Sequence, residues 1–182
     1  MKFLLYSGSA REGNFTQHVA AFVAEVTAKR ETIEVEVVSP KSLGITFENE
    51  GPQAVSETFS KKVAAADGYI IVSPEYNHGY PGSLKYMLDL NLKEYIHKPV
   101  AFVGVSKGPW GGTRMIETLL GPVREMGMVA TFTDTNVTMV QEEIVDGKFK
   151  DPEKWENRIN RTLDELIWMA ETLKAGRDKT TT

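Results

Sequence analysis

The chain has 182 residues, with 25 acidic and 21 basic side chains and 3 histidines, for a formal net charge of −4. Its content of 41% hydrophobic and 25% charged residues is that of a globular protein and excludes a disordered one; the length suits a single domain with one large core. The mild acidic excess argues against a nucleic-acid surface, which shows as clustered Lys and Arg, and the absence of cysteine excludes disulfides, thiolate catalysis and cysteine-ligated zinc or iron–sulfur centres.

Short apolar runs rich in β-branched residues alternate with stretches of helical periodicity. Phe3-Leu4-Leu5-Tyr6 predicts a first strand, and Phe15, Val19, Phe22, Val23 and Val26 a first helix. Ile33 to Val38 alternates as a second strand. Val55, Phe59, Val63 and Ala66 mark a second helix, opened by Gly51-Pro52. Gly68 to Pro74 is a third strand, apolar on both faces and therefore central. Leu84, Met87 and Leu88 begin a third helix, expected from Ser83 to Lys93. Val100 to Val105 is a fourth strand, and Ile116, Leu119, Leu120 and Val123 form a fourth helix. Val129 to Val137 holds a fifth strand. Within Gln141 to Lys150, Asp146-Gly147 predicts a small hairpin. Asp151 caps a last helix, Pro152 takes its first position, and Trp155, Ile159, Leu163, Leu166, Ala170 and Leu173 form its apolar stripe. Residues 1–174 then make one domain, and the polar stretch from Ala175 to Thr182 reads as a disordered, frayed tail.

Strands alternating with helices imply parallel strands joined by crossover helices. Five such units predict an α/β, flavodoxin-like, doubly wound parallel sheet of order 2-1-3-4-5 with helices on both faces. No apolar run approaches the ~20 residues of a membrane span. The opening segment is too short for a signal-peptide core, and the lack of cysteine fits a reducing cytoplasm.

In such a sheet, ligands bind where the winding reverses, between strands one and three. The loop after strand one, Ser7 to Thr16, offers small residues, hydroxyls, amides and one guanidinium at a helix N-terminus. That is the chemistry of a phosphate cradle, with Ser9, Asn14 and Thr16 as hydrogen-bonding groups and Arg11 as the charge. An ordinary strand-to-helix turn with a Ser or Asn cap would be spelt similarly. Gly8 and Gly13 have the spacing of a triphosphate loop, but Asn14-Phe15 stand where Lys and Ser or Thr are required. The dinucleotide pattern G-x-G-x-x-G is missing too, which leaves a terminal monophosphate.

The loop after strand three, Pro74 to Lys85, holds two prolines, two glycines and two tyrosines, Tyr76 and Tyr80. It can turn amides and carbonyls toward the edge of a planar heterocycle, although a plain loop uses the same residues for its turns. In the loop after strand four, Ser106 to Arg114, glycines permit close backbone approach. Lys107 or Arg114 could stabilise negative charge on a reduced ring, but solvated cations at a helix entry are the favoured reading for both.

Gly8-Ser9-x-Arg11-x-x-Asn14-x-Thr16 resembles the phosphate loop of the NADPH-dependent FMN reductase family of quinone, chromate and azo-dye reductases. Pro74-Glu75-Tyr76-Asn77-x-x-x-Pro81-Gly82-x-Leu84-Lys85 is similar to that family's ring-binding signature, and Gly111-Gly112 also fits. Asn14 stands where serine is usual and Thr16 where asparagine is usual, and both can donate to phosphate. The resemblance implies FMN bound non-covalently, its phosphate on Ser9, Arg11, Asn14, Phe15 (through its backbone) and Thr16. The ring would lie along Pro74, Glu75, Tyr76 and Asn77, with Ser106 and Gly108 near the other edge. It also implies a homodimer or homotetramer using the third helix, where Tyr86, Met87 and Leu90 stand.

The activity implied is a ping-pong NAD(P)H oxidoreductase. Hydride passes from NADPH or NADH to FMN, then electrons pass to a small quinone, azo, nitro, metal or flavin acceptor. No catalytic side chain is required, because proximity and orientation lower the barrier. His78 beside the second loop reads as a surface turn residue, and His18 and His97 as structural or solvated. The three histidines are too scattered for a metal site. The competing reading is a flavodoxin-like electron carrier without NAD(P)H oxidation, which Arg11 and the small net charge disfavour.

Overall fold

The computed structural model of the chain describes residues 1–45 and 57–180. The expected helix opening at Gly51-Pro52, with Val55, lies outside the described residues.

The elements in order are β1 (Lys2–Ser7), α1 (Phe15–Ala28), β2 (Glu34–Val38), α2 (Glu57–Ala65), β3 (Gly68–Pro74), α3 (Gly82–Asp89) and a short 3-10 turn (Lys93–Tyr95). Then follow β4 (Pro99–Val105), α4 (Thr113–Glu125), β5 (Val129–Ala130), β6 (Thr135–Val137), α5 (Val140–Glu143), β7 (Ile144–Val145), β8 (Lys148–Phe149) and α6 (Pro152–Thr180).

The main sheet is parallel with order β2-β1-β3-β4-β5, as the alternation of elements predicts. The last position differs in detail. Val129 to Val137 is not one strand: β5 pairs with Pro99 and Val100, β6 pairs with Val103 to Val105, and both use the same edge of β4. Between them the chain swings outward, leaving Phe132 91% exposed.

Alternate residues of β1 enter two separate apolar clusters, because successive strand side chains point to opposite faces. Phe3 and Leu5 pack with Val19 and Val23 of α1 and Trp155, Ile159 and Leu163 of α6. Leu4 and Tyr6 pack with Phe59 of α2, Leu84, Met87 and Leu88 of α3, and Met115 and Leu119 of α4. β3 and β4 are buried almost throughout, which explains their unbroken apolar spelling. β2, at the edge, exposes Glu34, Glu36 and Val37 and buries Val38.

Asp151 Oδ1 accepts from Lys154 N at 3.0 Å, so the last helix is capped as its spelling indicates. The helix does not stop near Leu173. It runs to Thr180, held in part by Arg177, whose Nη1 donates to His97 O at 2.6 Å. The stretch from Ala175, read as a frayed tail, is therefore helical as far as it is described. The third helix ends earlier than expected, at Asp89 rather than Lys93, and Met87 on it is fully buried in its own core. The small hairpin forms at Asp146-Gly147, both with positive φ, joining β7 to β8. Among the described residues, no helix is long and apolar enough to cross a membrane. Nor does any group of three or more His, Asp or Glu there have the placement to hold a metal ion.

Two glycines fix where the loop after β4 lies. Gly112 has φ +82, and a Cβ there would stand 2.7 Å from Gly104 Cα. A Cβ on Gly104 would stand 2.3 Å from Gly111 O. The loop backbone therefore rests directly on β4 before α4 begins. Gly112→Ala should lower stability by about 2 kcal/mol or more, from left-handed strain plus backbone overlap. Thermal unfolding checks this, and an unchanged midpoint would contradict it.

Asp134 sits in the interruption between β5 and β6. Although Asp134 is exposed at the surface, partial desolvation by its surroundings pushes its carboxyl up to about 6, and Glu117 adds a like charge. The folded state therefore holds this proton more tightly than the unfolded chain, whose aspartates titrate near ~3.9. Ionisation weakens the fold as pH rises from about 4 to 6. Asp134→Asn should raise the unfolding midpoint at pH 7 but not at pH 4. An equal gain at both would show that charge is not the cause.

Candidate functional site

Parallel strands bring the loops after β1, β3 and β4 to one edge of the sheet. There they border a cleft of about 380 Å³, lined on one side by Arg11, Asn14, Phe15 and Thr16. Pro74, Glu75 and Tyr76 form a second side, and Val105, Ser106 and Lys107 a third.

The β1 loop is built by α1. Asn14 is the N-cap, with extended backbone, and its Oδ1 accepts from Gln17 N at 2.8 Å. Its Nδ2 donates to Arg11 O, closing the loop on itself. The first-turn N–H groups of a helix lack intrahelical partners, and no acidic side chain stands in that turn. The helix end therefore places positive partial charge beside the exposed Arg11, while the exposed Glu12 lines the same cleft. Ser9 is buried; its Oγ accepts from Arg11 N at 3.3 Å and shares a 3.3 Å hydrogen bond with the Tyr76 hydroxyl. That bond ties the first loop to the second. Ser83 Oγ adds another tie, donating to Gly8 O at 3.1 Å.

The β3 loop opens with a tight two-residue turn. Tyr76 N and Gly79 O are 2.9 Å apart, Gly79 N and Tyr76 O 3.0 Å apart, and Asn77 (φ 50) and His78 (φ 66) fill the centre. Both central residues at positive φ make this a hairpin-type turn normally spelt with glycine. It lifts Tyr76, 40% exposed, to the rim. His78 is exposed at the turn, as its sequence context indicates.

Glu75 is the polar anomaly. Its side chain is only 10% exposed, yet Oε2 is buried without a hydrogen-bond partner. Oε1 accepts from Arg114 Nη1 at 3.4 Å, a long contact. Arg114 therefore does not stand as a free solvated cation. It pairs with Glu75 and lies over the Trp110 ring, 5.4 Å from its centroid. Lys107 is exposed but lines the cleft, with Nζ 5.7 Å from the Phe15 ring centroid.

Eight of the predicted site residues line this one cleft: Arg11, Asn14, Phe15, Thr16, Pro74, Glu75, Tyr76 and Ser106. Ser9 reaches it through Tyr76, and Asn77 lines an adjoining hollow of about 630 Å³ with Ala10, Pro81 and Ser83. Gly108 is not among the lining residues. Its carbonyl accepts from Ser106 Oγ at 3.0 Å and Met139 N at 3.1 Å, so it shapes the loop from within. Val140 was not legible in the motifs. It arrives from α5 because Val140 N donates to Ser106 O and Met139 adopts φ 45.

Residues 1–140 match the family described as NADPH-dependent FMN reductase. The chain is 28% identical over 156 residues to an NAD(P)H-dependent FMN reductase of Schizosaccharomyces pombe, covering 80% of this chain and 77% of that protein. It is 32% identical over 123 residues to an NADPH azoreductase of a Bacillus species, covering 65% and 66% of the two. Among solved structures, FerB, a flavoenzyme NAD(P)H:(acceptor) oxidoreductase from Paracoccus denitrificans, superposes with a TM-score of 0.74. That match has 16% identity over 93% of this chain and 97% of FerB, and it shows the shared fold. With the family match spanning most of its length, the chain belongs to the NADPH-dependent FMN reductase family, oxidoreductases that join FMN to NAD(P)H.

Proposed function

We propose that this chain reduces a small quinone or azo acceptor with NAD(P)H, using FMN held non-covalently in the cleft between the loops after β1, β3 and β4. The carrying observation is that one cleft joins a helix N-terminus with an exposed arginine to the Pro74–Asn77 corner. The first suits a terminal phosphate; the second suits a flat ring with a polar edge.

The residues present fit the cofactor. In this reading the phosphate lies against Ser9, Arg11, Asn14, the Phe15 backbone and Thr16. Pro74, Glu75, Tyr76 and Asn77 border the ring, with Ser106 at the opposite edge and Gly108 supporting Ser106. The unpartnered Glu75 Oε2 supports this assignment, because a buried carboxylate oxygen without a donor costs about 1–3 kcal/mol until one arrives. The flavin supplies the redox chemistry when bound, accepting two electrons at a time.

The protein's own work is positional. The three loops exclude water from the ring, and Tyr76 and Lys107 stand where a second ligand would enter. No side chain is given a proton-transfer role. For a quinone the balance is NAD(P)H plus quinone plus one proton giving NAD(P)⁺ plus hydroquinone, with the donor leaving before the acceptor binds. The reading includes a homo-oligomer in which the half-buried Tyr86 of α3 and Leu90 just beyond its end take part; Met87 is committed to the core.

Two measurements test this. Added FMN should lose its fluorescence on binding, and Arg11→Ala should weaken that binding by about 1–2 kcal/mol, roughly tenfold. The loaded protein should oxidise NADH or NADPH with a quinone and give parallel double-reciprocal lines. An electron carrier would show almost no turnover, and an absence of FMN binding would reject the assignment.

A further inference from the structure

Neither Trp110 nor Arg114 lines the cleft, yet Arg114 reaches its wall through Glu75. Trp110 is 58% exposed, which is unusual for so large an apolar side chain. Arg114 covers its face, and the guanidinium also reaches Glu75, which lines both the cleft and the adjoining hollow. One turn further along α4, Thr118 approaches the Tyr76–Gly79 turn: a Cβ on Gly79 would come within 4.0 Å of Thr118 Oγ1. Arg114 and Thr118 share a helix face, being four residues apart. That face is set against the rim of the site.

The charge pair is lopsided. The Glu75 side chain is 10% exposed and the Arg114 side chain 41% exposed. The negative end is therefore buried and the positive end faces outward. Among the described residues, Arg114 makes one hydrogen bond, of 3.4 Å, although a guanidinium carries five N–H donors. Its planar fork suits carboxylate, sulfonate or phosphate oxygens. Lys107 adds a second cation on the other side of the cleft. Exposed Tyr76, which lines the cleft, and exposed Trp110, beneath Arg114, supply aromatic surface on either side of the Glu75–Arg114 pair.

From this arrangement we infer that Trp110 and Arg114 form a specificity platform for a planar aromatic ligand bearing an anionic group, the ring stacking on Trp110 and the anion pairing with Arg114. The inference rests on the proposed function and names the chemistry of the second ligand. Either the electron acceptor or the dinucleotide donor can carry that chemistry.

The test uses FMN-loaded full-length protein and ping-pong kinetics, in which kcat/KM is obtained separately for each substrate. The probes are a naphthoquinone sulfonate against plain naphthoquinone as acceptors, and NADPH against NADH as donors. Arg114→Gln should reduce the preference for the sulfonate over the neutral quinone, or for NADPH over NADH, by about fivefold or more. The substrate affected identifies the source. Arg114→Lys should restore part of the preference. In the wild type, added salt should erode the same preference, because an exposed ion pair is screened. Trp110→Ala, which leaves the charge in place, should lower kcat/KM for the ligand identified by Arg114→Gln. If Arg114→Gln does not fold, Trp110→Ala and the salt series decide alone. FMN-loaded protein whose preferences move with neither substitution nor with salt overturns the inference and leaves the proposed function standing. Wild-type protein that takes up no FMN overturns both.

Discussion

The constraint beneath the site is the parallel pairing of β1 with β3. Leu5 lies beside Ile70 and Ser7 beside Val72, so both strands end at the same edge. From β1 the chain next builds β2 on one side; from β3 it builds β4 on the other. The two exits therefore part, and a crevice opens between them. Ser9 and Tyr76 bridge it through one hydroxyl contact of 3.3 Å. The buried apolar faces of β3 and β4 make the base of this crevice rigid, since side chains packed on both faces resist displacement.

Polar groups within that rigid frame are left incompletely satisfied where a ligand would complete them. Elsewhere Tyr6 and Tyr95 share a 3.0 Å hydrogen bond and Tyr69 donates to Val63 O at 2.9 Å, while Asn91 Nδ2, Thr133 Oγ1 and Gln141 Oε1 are buried without a partner. At the cleft, Glu75 keeps one oxygen without a donor and reaches Arg114 only at long range with the other. The strained turn at Asn77 and His78 lies beside it. Incomplete pairing at Glu75 and positive φ at Asn77 and His78, gathered in one loop, are the features that support the proposed site there.

The sheet was legible because its signals are strong. Phe3 to Tyr6, Gly68 to Pro74 and Val100 to Val105 are short apolar runs between helical stretches, and their order allows few topologies. The candidate site was legible as the loops Gly8 to Thr16 and Pro74 to Lys85, which the fold brings to one cleft and whose residue types suit the phosphate and ring of the proposed reading. Boundaries were less so. Leu90 and Leu92 continue the apolar spelling beyond Asp89, where the helix has already ended. Val129 to Val137 hides an outward swing that depends on tertiary packing around Thr131 and Thr135, both buried. Ala175 to Lys179 mostly faces water, yet the helix continues through it to Thr180, with Arg177 anchored on His97 O. The pairing of Arg114 with Glu75 spans 39 positions and leaves no local trace. Val140 likewise enters the cleft through backbone contacts that carry no sequence signature.

Backbone hydrogen exchange with and without FMN tests the central claim most directly. Cofactor binding at the strand ends should slow exchange in residues 8–16, 74–79 and 106–112 together, leaving β7 and β8 unchanged. Protection that misses these three loops, or gathers at another surface, would contradict the placement of the cofactor.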